Sequence, residues 1–225
     1  MKILVGNTGL VGITLQEKIK FDLLFNSKNI NKLTNYNLNG TDIYLSCLPA
    51  TKWLVNQDIP KDIDNINLII NYLSNFNFNR VILISTIDVY VDSPLLSNED
   101  YPPNFKSLNY GSNRLLFELL IKQKMKYNDL KIFRLPALFN KHIKKNILFD
   151  LINNNNLNQI NINSKYQWYC LDSLVDDIDS IIKYNPKETL FNLFTEPIET
   201  TEIIKLFPKH NNTDFLTGQN VTYDY

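Results

Sequence analysis

Three of the six glycines in this 225-residue chain fall within its first twelve positions. They form Gly6-Asn7-Thr8-Gly9-Leu10-Val11-Gly12, spaced three apart, directly after the apolar run 2–5 and opening a segment of helical spacing, 10–20. A strand that turns into a helix through such a loop has few physical uses. The first glycine permits the tight turn, the second lets the backbone approach a pyrophosphate, and the third allows close packing of helix on strand, while the helix N-terminus faces the anion. Gly6, Thr8, Gly9, Leu10, Val11 and Gly12 are therefore the candidate phosphate contacts. A tight turn with no ligand is the plain alternative.

The rest of the chain alternates in a way that suits this start. Residues 21–25, 42–47, 80–84 and 130–135 read as short strands, and 62–76 and 108–126 read as amphipathic helices. The run 80–84 is largely β-branched, as a strand buried on both faces requires. Segment 26–40 is polar and irregular, and 92–106 holds three prolines and reads as loop. Beyond Pro136 the pattern loosens: helices at 143–151, 172–184 and 200–207, strands at 158–162, 166–170 and 189–193. The expected fold is α/β, a Rossmann-like doubly wound parallel sheet over 1–135 with a small C-terminal α+β lobe over 136–225, forming a single structural unit.

Composition excludes several classes. Lys plus Arg and Asp plus Glu both total 23, so the net charge is zero and no global field draws the protein to nucleic acid or to an anionic membrane. No apolar stretch is long enough to span a bilayer, and the N-terminus does not read as a signal peptide. Two distant cysteines, Cys47 and Cys170, read as reduced thiols of a cytoplasmic protein, and with two scattered histidines they offer no metal-ligand spacing. The chain carries 33 Asn and 20 Lys against 3 Arg. Against that bias each arginine stands out. Trp53 and Trp168 are expected in the core.

The end of the second strand, in such sheets, meets the adenosine ribose. Here it reads Phe25-Asn26-Ser27-Lys28, with Asp22 too early to reach a 2′-hydroxyl. Ser27 and Lys28 suit a 2′-phosphate, which favours NADP and leaves NAD open. Two further segments carry chemistry. Leu83 to Tyr90 ends a buried strand and presents Thr86 and Asp88, the latter as a possible cap of the following turn. Tyr110, Arg114 and Glu118 are four apart and share one helix face. A tyrosine one turn from a cation is a candidate general acid or base, because the cation is expected to lower the phenol's pKa. The plain alternative for Arg114 is a surface arginine paired with Glu118.

Together these residues resemble the extended short-chain dehydrogenase/reductase family of nucleotide-sugar epimerases, dehydratases and reductases. The glycine motif, Thr86 through Tyr90, Tyr110, Gly111 and Glu118 match the family's pattern, while Asn113 and Arg114 replace its serine and lysine. Phe133-Arg134-Leu135-Pro136-Ala137 looks like the family's strand and proline beside the nicotinamide, and 169–173 is similar to its late strand entering a helix. The resemblance implies that Tyr110 is the acid/base for hydride transfer at a sugar carbon and that Thr86 hydrogen-bonds the reacting oxygen. It implies that Arg114 holds the nicotinamide ribose and that Cys47, Leu48, Pro49 and Pro136 pass near the cofactor, with Asn26, Ser27 and Lys28 at its adenosine end. Thr86, Asp88 and Tyr110 are then the substrate contacts. Dehydratases carry Thr-Asp-Glu where this chain has Thr86, Ile87 and Asp88, so dehydration is disfavoured and epimerisation or 4-keto reduction is expected on a nucleotide-sugar substrate. The family also implies a homodimer through helices 62–76 and 108–126. The chain is short for the family, and its 26–40 segment leaves the adenine side shallow. Because of Arg114 and the reduced lobe, a non-catalytic NAD(P)-binding sensor or scaffold is the alternative from another class.

Overall fold

A computed structural model describes residues 1–90, 97–103, 106–210, 213–217 and 221–222. Part of the loop expected over 92–106 lies outside the described residues. The chain runs β1 (Lys2–Val5), α1 (Leu10–Lys18), β2 (Leu23–Phe25), β3 (Asp42–Leu45), α2 (Lys52–Gln57), α3 (Ile59–Leu73), β4 (Asn77–Thr86), α4 (Tyr110–Lys124) and β5 (Lys126–Leu135). It continues as β6 (Ala137–Phe139), α5 (Ile147–Asn153), β7 (Lys165–Tyr166), β8 (Trp168–Cys170), α6 (Leu174–Tyr184), β9 (Leu190–Asn192), β10 (Ile198–Glu199) and α7 (Thr200–Lys205).

Six strands form one sheet in the order β2-β1-β3-β4-β5-β9, and every neighbouring pair is parallel. The strand sequences explain why both faces are covered. Ile3, Val5, Ile43, Leu45, Val81 and Leu83 pack to one side with Ile66, Ile70 and Leu73 of α3 and Phe117 and Ile121 of α4. The intervening Leu4, Tyr44 and Ile82 pack to the other with Leu15 of α1 and Leu174 and Ile178 of α6. Apolar residues at both phases of a period-two strand are what a doubly covered parallel sheet needs. Each fully buried leucine or isoleucine contributes about 1.5–3 kcal/mol, so this packing fixes α3 and α4 on one face.

The second half of the chain divides. The segment 189–193, expected as a strand, supplies β9, the sixth strand of the main sheet, and α6 covers the sheet beside α1. The remainder builds two small ladders, β6 with β8 and β7 with β10, around Leu151, Ile160, Trp168 and Ile203. Two local expectations fail. Segment 158–162 is no strand: Asn156 adopts a left-handed conformation and opens a short 3-10 turn, Leu157–Gln159. Trp53 is 66% exposed on α2, a six-residue helix with no sequence periodicity to reveal it, whereas Trp168 is buried as expected. Helix α3 starts earlier than its apolar spacing indicates, because Asp58 caps it by accepting from the Lys61 N–H and Pro60 sits in its first turn.

One charge pair ties α4 to the sheet. Arg134 of β5 donates to both Glu118 oxygens (3.1 and 2.6 Å) and to the Tyr90 hydroxyl (2.6 Å), and Ser85 of β4 donates to Glu118 at 2.5 Å. Both charges are buried. Arg134→Met leaves the Glu118 carboxylate without its partner, and urea unfolding should show a loss of about 3–5 kcal/mol. A loss below about 1 kcal/mol, the range of exposed pairs, would contradict this reading.

Candidate active site

The carboxyl ends of β1, β3, β4 and β5 border a cavity of about 740 Å³, within the size range of cofactor and ligand sites. At its base Gly6 leaves β1 with φ +102°, and a Cβ there would stand 2.2 Å from the Ser46 carbonyl oxygen. Only glycine takes that turn without strain. Gly9 caps α1 without any side-chain bond, and a Cβ added to it would meet nothing nearer than the Gly6 carbonyl at 3.6 Å. The first N–H groups of α1 therefore border an open cradle that a side chain would fill. Backbone donors and the helix dipole favour an anion there, so the loop fits a diphosphate.

Most residues singled out in the sequence line this one cavity: Gly6, Thr8, Gly9, Leu10 and Val11 in the loop, and Asn26 and Ser27 after β2. Cys47, Leu48 and Pro49 after β3, and Thr86, Asp88, Tyr110, Arg114 and Pro136 toward β4 and β5, line it too. Two of the residues do not. Gly12 lies behind the loop, packed against Gly6. Lys28 is exposed on a turn whose bonds are made by Asn26 and Asn29, and it does not reach the lining. Burial pushes the Cys47 thiol up to about 12, so it is no nucleophile near neutral pH.

Tyr110 is the first residue of α4, and several contacts fix its place. Asn109 and Ser112 form a reciprocal capping box. A Cβ on Gly111 would stand 2.0 Å from the Asp88 carbonyl oxygen, so glycine lets the helix start directly against the end of β4. The Tyr110 N–H donates to Asn56 of α2 at 2.7 Å. Thr86, the last residue of β4, lines the same cavity as Tyr110. The Thr86 hydroxyl accepts the Asp88 N–H at 3.2 Å and donates to Asp88 Oδ2 at 3.4 Å, while Asp88 Oδ1 holds Lys52 of α2 at 2.6 Å.

The charges around Tyr110 correct two expectations. Arg114 does not pair with Glu118, which faces Arg134. It reaches across to α3 instead, where NH1 and NH2 donate to the two Asp62 oxygens at 2.8 and 3.2 Å and NH2 also donates to the Pro49 carbonyl at 2.8 Å. This helix face is buried against α3 and the sheet, so each charge takes a partner beyond its own helix. Nor is the phenol's pKa depressed. Burial, the largest effect, pushes it up; Arg114 pulls it down through its charge and a side-chain hydrogen bond, Asp88 pushes it up and Lys52 pulls it down, and the balance lies above the ordinary value.

The first stretch of the lobe crosses the cavity mouth. Asn140 donates to Thr14 of α1 at 2.9 Å, His142 lies 2.8 Å from Glu17 of α1, and Lys145 donates to the Ala50 carbonyl at 2.7 Å. Burial lowers the Lys145 pKa. Sequence reasoning missed Lys52, Asn56, Asp62 and Lys145. Only its place shortly past the predicted strand 42–47 hints at the site for Lys52, and nothing in the sequence marks Asn56, Asp62 or Lys145.

No family model matches the sequence, and no curated protein matches it. Solved structures do match over nearly the whole chain. RMD from Pseudomonas aeruginosa, complexed with NADPH, aligns over 100% of this chain and 90% of its own with a TM-score of 0.76 at 13% identity. The dTDP-4-dehydrorhamnose reductase from Bacillus anthracis str. Ames, in complex with NADP, aligns over 99% and 83% with a TM-score of 0.73 at 16% identity. The UDP-N-acetylglucosamine 4-epimerase from Bacillus cereus aligns over 100% and 87% with a TM-score of 0.70 at 16% identity. The chain shares the fold of these three structures, a parallel sheet covered by helices on both faces. At these identities the likeness is one of fold, and the chain spans most of the length of each neighbour.

The raised phenol pKa has a thermodynamic consequence. Tyr110 keeps its proton in the folded chain to a higher pH than in the unfolded chain, where a phenol ionises near about 10. The stability this contributes is present below that pH and is lost as pH rises through the folded value. Chemical denaturation of wild type and Tyr110→Phe above about pH 10 should show the wild type losing stability more steeply. Equal alkaline slopes would contradict it.

Proposed function

We propose that the protein is an NAD(P)-dependent oxidoreductase or epimerase acting on a nucleotide-activated sugar, with Tyr110 as the acid/base. One observation supports this reading: Tyr110 and Thr86 line the same cavity as the glycine loop, at the carboxyl edge of a parallel sheet. Structures of the same fold are described with UDP-glucose and NAD, with NADP, and with NADPH, which supports both ligand classes.

A bound nicotinamide supplies or accepts the hydride. The chain's own residues do the rest. Gly6 to Val11 hold the diphosphate, and Pro136 and Cys47 to Pro49 flank the inner part of the crevice. Thr86 donates to the reacting oxygen and keeps it beside the phenol. In reduction Tyr110 gives its proton to the carbonyl oxygen as the carbon takes the hydride, leaving an alcohol and a phenolate that solvent reprotonates. Epimerisation runs the same transfer in both directions on the two faces of one carbon. Ile87 stands where a dehydratase carries its acid, so this chain lacks the second carboxylate that dehydration uses. Ser27 favours NADP over NAD, although Lys28 lends it no support.

Two separated cysteines, both free thiols, support a cytoplasmic location. Among the described residues no helix is long and apolar enough to cross a membrane. Leu119 on α4 is exposed, which supports self-association through α3 and α4. Sedimentation equilibrium should give a dimer mass, and a monomer at all concentrations would remove this part.

The test of the activity uses NADPH or NADH with a panel of 4-keto nucleotide sugars, following nicotinamide absorbance and sugar products by NMR. Tyr110→Phe should lower turnover at least about 100-fold while dinucleotide affinity stays within about threefold. Normal turnover in that variant would overturn the assignment. Tight dinucleotide binding with no conversion of any sugar would favour a sensor or scaffold, a reading supported by the commitment of Arg114 to Asp62.

A further inference from the structure

The two places where α4 departs from the expected serine and lysine end on one carboxylate. Asn113 donates to Asp62 Oδ2 at 2.7 Å, and Arg114 donates to Oδ2 and Oδ1 of the same residue at 2.8 and 3.2 Å. Asp62 sits in the first turn of α3, and all three residues are buried. With the bond to the Pro49 carbonyl, three of the five N–H donors of the guanidinium are taken by Asp62 and Pro49. The guanidinium carbon lies 4.4 Å from the centroid of the Tyr110 ring. A lysine could not span both carboxylate oxygens and the carbonyl in this way, because its ammonium is a point donor and not a planar fork. Asn113, Arg114 and Asp62 thus form one interlocking set.

We propose that Asp62 is a positioning residue for the acid/base step: from α3 it clamps Arg114 against the face of the Tyr110 ring and offsets the arginine's charge, so that the resting phenol carries its proton and acts as donor to a substrate carbonyl. The inference rests on the function proposed above for its catalytic meaning only; the clamp and the charge balance belong to the free protein. It goes further than that function by selecting the carbonyl-protonating direction as the one for which the resting site is prepared.

Other charged groups also face the phenol. Asp88 approaches from the turn after β4 and Lys52 from α2, and these two are themselves paired at 2.6 Å. Neither is altered in the test. The protein carrying ¹³C at the tyrosine ring carbon that bears the hydroxyl is titrated by NMR without cofactor or substrate, and the Tyr110 signal is identified by its loss in Tyr110→Phe. Asp62→Asn leaves Arg114 uncompensated beside the ring. Its phenol midpoint should fall by at least about one pH unit, a tenfold rise in the acid constant. An unchanged midpoint in the folded variant would overturn the proposal, since a merely structural aspartate would not move it.

Removing one partner of a buried pair can unfold a protein, so a second variant is needed. Asp62→Asn/Arg114→Met removes both charges and keeps the volume. With the arginine gone there is no cation for Asp62 to hold, so the midpoint should lie at or above that of wild type and well above that of Asp62→Asn. A midpoint as low as that of Asp62→Asn would mean that the fall did not come from Arg114, and that also overturns the proposal. Because no dinucleotide or sugar is present, this outcome is separable from failure of the proposed enzyme activity.

Discussion

Helix α4 carries two charges that water does not reach, Arg114 and Glu118, and the reactive end of the cavity depends on how they are satisfied. A buried ion without a partner costs several kcal/mol, so each must find a carboxylate or a cation with good geometry. Glu118 finds Arg134 on β5, and Arg114 finds Asp62 on α3. One helix is thereby tied to the sheet beneath it and to the helix beside it. Its first residue, Tyr110, is held by the same construction, with the cap at Asn109, the close approach at Gly111 and the bond to Asn56. Charge satisfaction inside the fold and placement of the phenol are the same problem solved once.

The arginines make the point in another way. The chain uses 20 lysines and 3 arginines, and each arginine holds a carboxylate: Arg80 with Asp129, Arg114 with Asp62, Arg134 with Glu118. At Arg114 and Arg134 the partner is buried and held through two nitrogens, which a planar, always charged fork suits and a lysine does not; Arg80 makes a single Nε bond to a partly exposed Asp129. In a sequence rich in lysine, arginine therefore marks positions where geometry matters. Arg114 is one of these, and its fork faces a structural carboxylate before it faces any ligand.

Much of this was legible along the chain. The glycine loop names its own turn: a strand ending in Gly6 and a helix opening at Gly9 admit little else. The sheet was legible because β1, β3, β4 and β5 contain short apolar runs; Thr86 was legible because it falls at the carboxyl end of a strand, and Tyr110 because it stands one helical turn from Arg114. What stayed hidden is the pairing of charges across elements. Arg114 and Glu118 have the right spacing to bond each other on an exposed helix, and only burial of that face sends them elsewhere. Asp62 lies 52 positions before Arg114 and looks like an ordinary acidic residue in the first turn of a helix. The phenol's pKa was misread for the same reason, since spacing reveals a nearby cation but not the burial that outweighs it. The strand expected over 158–162 failed on local grounds: Asn156 takes a left-handed conformation that turns the chain where apolar alternation indicated extension.

The account stands or falls on whether the crevice above the glycine loop receives a dinucleotide. Calorimetric titration with NADPH and with NADH, on wild type and on a folded Gly9→Glu variant, asks this directly. The account predicts one site per chain for at least one of the two, and a loss of affinity of at least about tenfold when a carboxylate occupies the space left open at Gly9. No heat of binding with either dinucleotide, or equal affinity in the variant, would contradict it.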